Sequence, residues 1–119
     1  MQYKYCMSKQ SNSILGLPKA AAVRLRELGR HIRNARKIRH LSMEELAARS
    51  LTNRETLRRL EKGEPGVSIG TLAHILWVLG LEANLGNVAS LEVDPHGRAR
   101  LALELPQRIR KRQEAKYDF

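Results

Sequence analysis

The chain has few aromatic residues and a single cysteine. Phe, Trp and Tyr together make up 4% of the 119 residues, and Cys6 is the only thiol. One cysteine excludes an internal disulfide and the multi-thiolate zinc sites, and the four histidines lie far apart without an HExxH or Cys/His pairing. We therefore expect no metal site. With so few aromatics the core must be built from aliphatic residues, which favours packed helices.

Long apolar runs and catalytic signatures are also missing. No stretch of 18 or more apolar residues occurs, and residues 1–13 lack the apolar core of a signal peptide. We expect a soluble, cytoplasmic protein that does not enter a membrane. Because the sequence has no glycine-rich phosphate loop, nucleophile elbow or kinase signature, we expect neither an enzyme nor a cofactor.

Negative charge is scarce relative to positive charge. The chain has 22 Lys and Arg against 12 Asp and Glu, which gives a formal net charge of +10. Such a balance favours a polyanionic partner, with nucleic acid ahead of a membrane surface. A binder that relies on charge alone, without sequence preference, stays open as a weaker alternative.

Composition and periodicity divide the chain into four predicted segments. They are a flexible arm over residues 1–17, a helical domain over 18–81, an extended or β segment over 82–105 and a basic tail over 106–119. We expect the third segment to serve dimerisation or partner binding. The tail is open to three interpretations, which are phosphate contact, partner docking and simple solvation.

Capping signals place short helices close together in the second segment. Ser42 with Glu45 forms a capping box, Asn53 caps the next helix, and Gly63 ends it. The predicted helices cover residues 18–39, 43–49, 53–62 and 69–79. Only about three residues separate the second helix from the third, which predicts a helix-turn-helix.

The segment after Gly80 predicts β structure. We expect an extended piece near residues 81–85, and Ala99, Leu101, Leu103 and Leu105 alternate with other residues as in a strand. The predicted fold class is therefore mainly α with a short C-terminal β-strand or hairpin.

The second helix of a helix-turn-helix fits the major groove of DNA, and here it is rich in arginine. We predict that Arg54, Glu55, Arg58 and Arg59 read bases, with Arg54 and Arg58 as the first choices because they lie on one face near the helix start. For Glu55 an ion pair with Arg58 or Arg59 is the favoured alternative. The residues predicted to contact phosphates are Arg36, Ser42, Arg49 and Asn53.

A resemblance to the xenobiotic-response-element family, which includes the phage Cro-type repressors, lies in the stretch LSMEELAARSLTNRETLRRLEKGEPGVSIGTLAHILWVLGL. The matching features are Leu46-Ala47, Thr56-Leu57, Leu60-Glu61, Gly63 and Leu79-Gly80-Leu81. The resemblance implies a four- to five-helix Cro/C1-type domain, dimeric binding to operator DNA and a structural role for Glu61. One departure is Leu51, where the family has a glycine in the turn.

The complete layout is similar to HipB-type repressors, the antitoxin-side subunits encoded beside HipA-type serine/threonine kinases. The residues that carry this likeness are LGLEANL and DPHGRARLALELPQRIR. It implies a homodimer that represses its own toxin-antitoxin operon and binds a HipA-like kinase. A subunit that mainly restrains the kinase, with DNA binding secondary, is the alternative.

Overall fold

A computed structural model of the chain describes residues 11–104. Predictions about Cys6, Leu105, the first ten residues and the basic tail therefore lie outside the described residues. The chain divides into two compact units, Met1–Glu82 and Ala83–Phe119. In the described range no helix has the length and hydropathy needed to cross a membrane.

All regular structure between residues 11 and 104 is helical. The first unit contains α1 (Asn12–Leu15), α2 (Lys19–Ile38), α3 (Met43–Arg49), α4 (Arg54–Glu61) and α5 (Ile69–Leu79). The second unit contains α6 (Ala83–Gly86), a 3-10 turn (Leu91–Val93) and α7 (Pro95–Glu104). The mainly α class and the four helices predicted from caps and periodicity are confirmed.

The centre of the core in the first unit contains one large aliphatic side chain from each of its four longer helices. Ile32, Leu46, Leu57 and Ile75 are each at most 1% exposed. Burial of a side chain of this size stabilises a fold by roughly 1.5–3 kcal/mol. Because each residue comes from a different helix, the same small core fixes α2, α3, α4 and α5 against one another.

Each of these four helices ends in the same motif, in which a residue in the left-handed region closes the last turn. These residues are His40, Leu51, Gly63 and Gly80, with φ of 54°, 54°, 80° and 77°. In every case the next N–H donates to the carbonyl oxygen five residues back, at 2.7 to 3.1 Å. This is the Schellman pattern, which satisfies carbonyl groups that the helix end would otherwise leave unpaired.

Leu51 shows that the turn keeps its shape without glycine. The N–H of Thr52 donates to the carbonyl oxygen of Ala47 at 2.9 Å, and the N–H of Leu51 donates to that of Ala48 at 3.2 Å. Leu51 is 85% exposed, so its side chain gains little from packing. The chain therefore bears the strain of a left-handed leucine in order to place α4 directly after α3.

The predicted β structure in the second unit is wrong for the residues that the structure describes. Residues 83–86 are helical instead of extended, and Ala99, Leu101 and Leu103 lie in α7. The N–H of Gly97 donates to the Oδ1 of Asp94 at 2.9 Å. Asp94 thus caps a helix whose first residue is Pro95, an arrangement that favours a helix start over an extended strand.

Candidate nucleic-acid interface

Helices α3 and α4 form a helix-turn-helix whose two starts are both capped by side chains. The Oγ of Ser42 accepts from the N–H of Glu45 at 3.0 Å, and the Oε1 of Glu45 accepts from the N–H of Ser42 at 3.0 Å. The Oδ1 of Asn53 accepts from the N–H of Thr56 at 2.8 Å. These caps define where each helix begins, and hence which residues of α4 stand in its first turn.

A buried ion pair joins the end of α4 to α2. The Nε of Arg36 lies 2.8 Å from the Oε2 of Glu61, and the Nη2 lies 3.2 Å from the Oε1. The Nη1 of Arg36 donates to the carbonyl oxygen of Leu41 at 3.0 Å. The two charged side chains are only 10% and 7% exposed. A charge-assisted, two-point bond of this kind fixes direction as well as distance.

This geometry corrects the prediction that Arg36 contacts phosphate. Its guanidinium is buried and all three of its nitrogens bind protein acceptors. A phosphate contact would leave Glu61 buried and unpaired, which is costly. Arg36 therefore holds α4 in place, and Glu61 has the structural role that the family resemblance implied.

Two glycines allow α2 to approach the end of α4 closely. A Cβ at Gly29 would lie 2.7 Å from the carbonyl oxygen of Leu60 and would also collide with the backbone of Glu61. A Cβ at Gly63 would lie 2.6 Å from the Cα of Arg26, and the φ of Gly63 is +80°. At both glycines the atoms that a Cβ would meet belong to the backbone. A larger residue could therefore be accommodated only by moving a helix.

The exposed face of α4 presents Arg58 in a paired state. Its Nε lies 2.8 Å from both carboxylate oxygens of Glu55, and its Nη2 lies 2.7 Å from the Oε1. The hydrogen bond from Arg58 holds the pKa of Glu55 below its usual value, although partial desolvation opposes this. The same bond raises the pKa of Arg58. The ion pair that the sequence offered as the alternative for Glu55 is thus present.

Arg54 and Arg59 are also paired, but with carboxylates that the sequence did not single out. The Nη1 of Arg54 lies 3.2 Å from the Oε1 of Glu44 in α3, and both side chains are about two-thirds exposed. The Nε of Arg59 lies 3.3 Å from the Oε1 of Glu64. The sequence shows only that Glu44 and Glu64 lie near an arginine-rich helix. Which arginine each of them pairs with depends on the geometry of the turns.

Arg59 differs from the other two arginines because the loop after α4 encloses it. Its side chain is 30% exposed, against 68% for Arg54 and 44% for Arg58. A Cβ at Gly66 would lie 2.7 Å from its Nη2. The guanidinium therefore lies against the backbone of this loop, and Arg54 and Arg58 are the more accessible cations.

The remaining predicted phosphate residues lie at the rim of the same surface. Arg49 is exposed at the end of α3, and no described carboxylate forms a salt bridge with it. Asn53 is exposed, and its amide nitrogen remains available while the amide oxygen caps α4. Ser42 is half-buried, and its hydroxyl oxygen is engaged in the capping box.

The fold contains a helix-turn-helix, a motif typical of sequence-specific DNA-binding regulators. Residues 32–84 match a family model described as Helix-turn-helix. The match supports the resemblance to the xenobiotic-response-element family and covers the whole of α3, α4 and α5. Comparison with curated proteins and with solved structures gave no match.

Proposed function

We propose that the protein is a transcriptional repressor in which α4 enters the major groove of operator DNA. The observation that carries the proposal is a rigidly held helix with an accessible arginine face. The Arg36–Glu61 ion pair and the contact at Gly29 fix the far end of α4. Arg54 and Arg58 project from the exposed side, and arginine can donate to the O6 and N7 of guanine.

Phosphate contacts would orient the domain on the duplex. Arg49 and Asn53 lie on either side of the turn that leads into α4. The first N–H groups of α4 and the positive end of its dipole favour a phosphate at the same place. Ser42 stays a weaker candidate since its oxygen already caps α3. These contacts position the helix, and the arginines of α4 supply the sequence preference.

We further propose that the protein acts as a homodimer, with the second unit contributing to the subunit interface. None of residues 83–104 is buried, and the exposed large apolar residues there are Val88, Leu91, Val93 and Leu103. Short helices that bury no side chain are marginal by themselves in water, so a partner surface would stabilise them. Two copies also suit a pseudo-palindromic operator with half-sites one helical turn apart.

The likeness to HipB-type repressors supports a more specific role. In that role the protein is the antitoxin-side subunit that autoregulates a toxin-antitoxin operon and carries a HipA-like kinase. A subunit that mainly restrains such a kinase is the alternative, and the apolar surface of the second unit favours it equally. Co-purification of the kinase encoded in the same operon with the full chain, but not with a chain ending at Glu82, would support either form of this role.

Fluorescence anisotropy tests the DNA-binding proposal. The full chain is titrated into labelled DNA from directly upstream of its own coding region and into a scrambled duplex of equal length, at two salt concentrations. We expect a preference of about 10³ or more for the upstream duplex. Equal affinity with a steep salt dependence would indicate a binder that relies on charge alone and would refute sequence-specific repression.

Sedimentation tests the dimer. At micromolar concentration we expect the mass of two chains, with the dimer weakened when Leu91 and Val93 are both replaced by Asp. A monomer that binds the upstream duplex normally would refute the dimer while leaving the DNA-binding proposal intact.

A further inference from the structure

The unusual feature of the α4 surface is that its central arginine is held by a carboxylate on the same face. Glu55 and Arg58 are three residues apart, one helical turn, and both are exposed. A carboxylate on a helix that approaches DNA is repelled by the phosphates. The geometry of the Glu55–Arg58 pair suggests what the carboxylate contributes in return.

Glu55 occupies one edge of the Arg58 guanidinium and leaves the other free. The Nε donates to both carboxylate oxygens at 2.8 Å, and the Nη2 lies 2.7 Å from the Oε1. Guanidinium has five N–H donors in a planar fork. The end-on edge, made of one hydrogen on Nη1 and one on Nη2, stays open, and two parallel donors are what the O6 and N7 of guanine accept.

We propose that Glu55 is a positioning residue which presents the end-on edge of Arg58 to a guanine and thereby sets sequence preference without contacting a base. This inference rests on the proposed DNA-binding function. The paired Arg58 is fixed in direction before the DNA arrives, so less side-chain freedom is lost on binding. The same pairing reduces the attraction of Arg58 to phosphates of any sequence.

The three arginine pairs of this surface differ in a way that singles out Glu55. The ion pair of Arg54 with Glu44 has a nitrogen–oxygen distance of 3.2 Å, and that of Arg59 with Glu64 has one of 3.3 Å. Only Arg58 has two nitrogens within 2.8 Å of its carboxylate, and its Nε donates to both carboxylate oxygens. A short charge-assisted contact to both oxygens constrains the guanidinium more than a longer contact does.

The test is a base-by-base comparison of Glu55→Gln with Arg58→Ala. A duplex is first selected by the wild-type protein from a random pool, and every base pair of it is then substituted singly. Binding of each duplex is measured for both variants, and for Glu27→Gln as a matched control. Glu27 forms an ion pair with Arg24, three residues earlier on α2. This control therefore removes the same charge from a helix other than α4.

We expect Arg58→Ala to abolish discrimination at one base pair, and Glu55→Gln to reduce discrimination at that same pair by about threefold to tenfold, a part of what a bidentate arginine contact supplies. Affinity for scrambled DNA should rise in Glu55→Gln, with a salt dependence steeper by about one unit of slope, because Arg58 is released to phosphates. In the Arg58→Ala background, Glu55→Gln should leave the remaining base preferences unchanged. Glu27→Gln should not alter discrimination at any base pair.

Three outcomes would overturn the inference. Loss of discrimination at a different base pair would make Glu55 itself a base-reading residue. An equal change on every duplex would make it a surface charge only. Preserved discrimination at the Arg58 base pair would show that Arg58 needs no positioning. Failure of the pool to yield any preferred sequence would instead refute the proposed sequence-specific binding, so the two failures are distinct.

Discussion

The guanidinium of Arg36 donates two hydrogen bonds to the carboxylate of Glu61 and a third to the carbonyl oxygen of Leu41. One side chain thus links α2, the segment that leads into α3, and the end of α4. The position of α4 relative to the rest of the domain depends on this link as much as on the aliphatic core.

Breaking this ion pair should strongly destabilise the domain. In Glu61→Gln the charge of Arg36 stays buried without its counter-charge, and we expect the free energy of unfolding to fall by about 3–5 kcal/mol. Urea denaturation followed by circular dichroism measures the change. Glu27→Gln, which breaks the exposed pair with Arg24, should cost less than about 1 kcal/mol. Similar small effects for both variants would mean that burial does not strengthen the pair.

Replacement of glycine by alanine should have opposite effects on stability at Gly29, where α2 approaches α4 closely, and at the open position Gly70. Gly29→Ala should destabilise the domain by more than about 2 kcal/mol, because its methyl group would overlap the backbone of Leu60 and Glu61. Gly70→Ala in α5 meets nothing within 4 Å and should raise the free energy of unfolding by up to about 1 kcal/mol through helix propensity. Thermal unfolding of the two variants compares them directly. An unaffected Gly29→Ala would contradict the observed backbone contact.

The sequence predicted α2 to α5 well because their ends are encoded locally. Side-chain caps such as Ser42 and Asn53 and stop residues such as Gly63 act within one turn of the chain. The buried role of Arg36 was missed because it lies in a run of cations. Its spacing held the signal, since it follows Ile32 by four residues and Gly29 by seven, which places it on the buried face.

The error in the second unit has a different physical origin. Alternating apolar residues predict a strand only where one face is buried, and the described part of this unit buries none of its side chains. Capping by Asp94 before Pro95 then decides in favour of a helix. The pairing of Arg54 and Arg59 was equally beyond sequence reasoning, because Glu44 and Glu64 approach them only through the turn geometry.

Leu51 should be replaceable with a gain in stability. A left-handed leucine costs roughly 1–2 kcal/mol, and glycine adopts this conformation freely although it loses more entropy on folding. We expect Leu51→Gly to raise the free energy of unfolding by about 0.5–1 kcal/mol. The control Ala48→Gly, at an exposed position inside α3, should lower it by about 1 kcal/mol. Loss of stability in Leu51→Gly would indicate that the exposed side chain is stabilised by a contact not apparent in this fold.

The capping box at the start of α3 predicts a pH dependence. Hydrogen bonds from the backbone N–H and then the side chain of Ser42 lower the pKa of Glu45. A lowered pKa in the folded state means that the contribution to stability is complete above the unfolded value, about 4.3, and is lost as pH falls through the folded value. NMR titration of the Glu45 carboxyl carbon should show the low pKa. In Ser42→Ala it should rise part of the way, since the backbone donor remains.

Loss of a base-reading residue and loss of a phosphate-contacting residue should change DNA binding in different ways. Arg54→Ala should reduce the preference for the operator over a duplex with one substituted guanine by about tenfold, because a direct contact to a base edge is lost. Arg49→Ala should weaken binding to operator and scrambled DNA alike and lower the salt slope by about one. Anisotropy titrations at several salt concentrations measure both effects. If Arg54→Ala weakened every duplex equally, Arg54 would be a phosphate contact, and Arg58 would be left as the principal base-reading residue of α4.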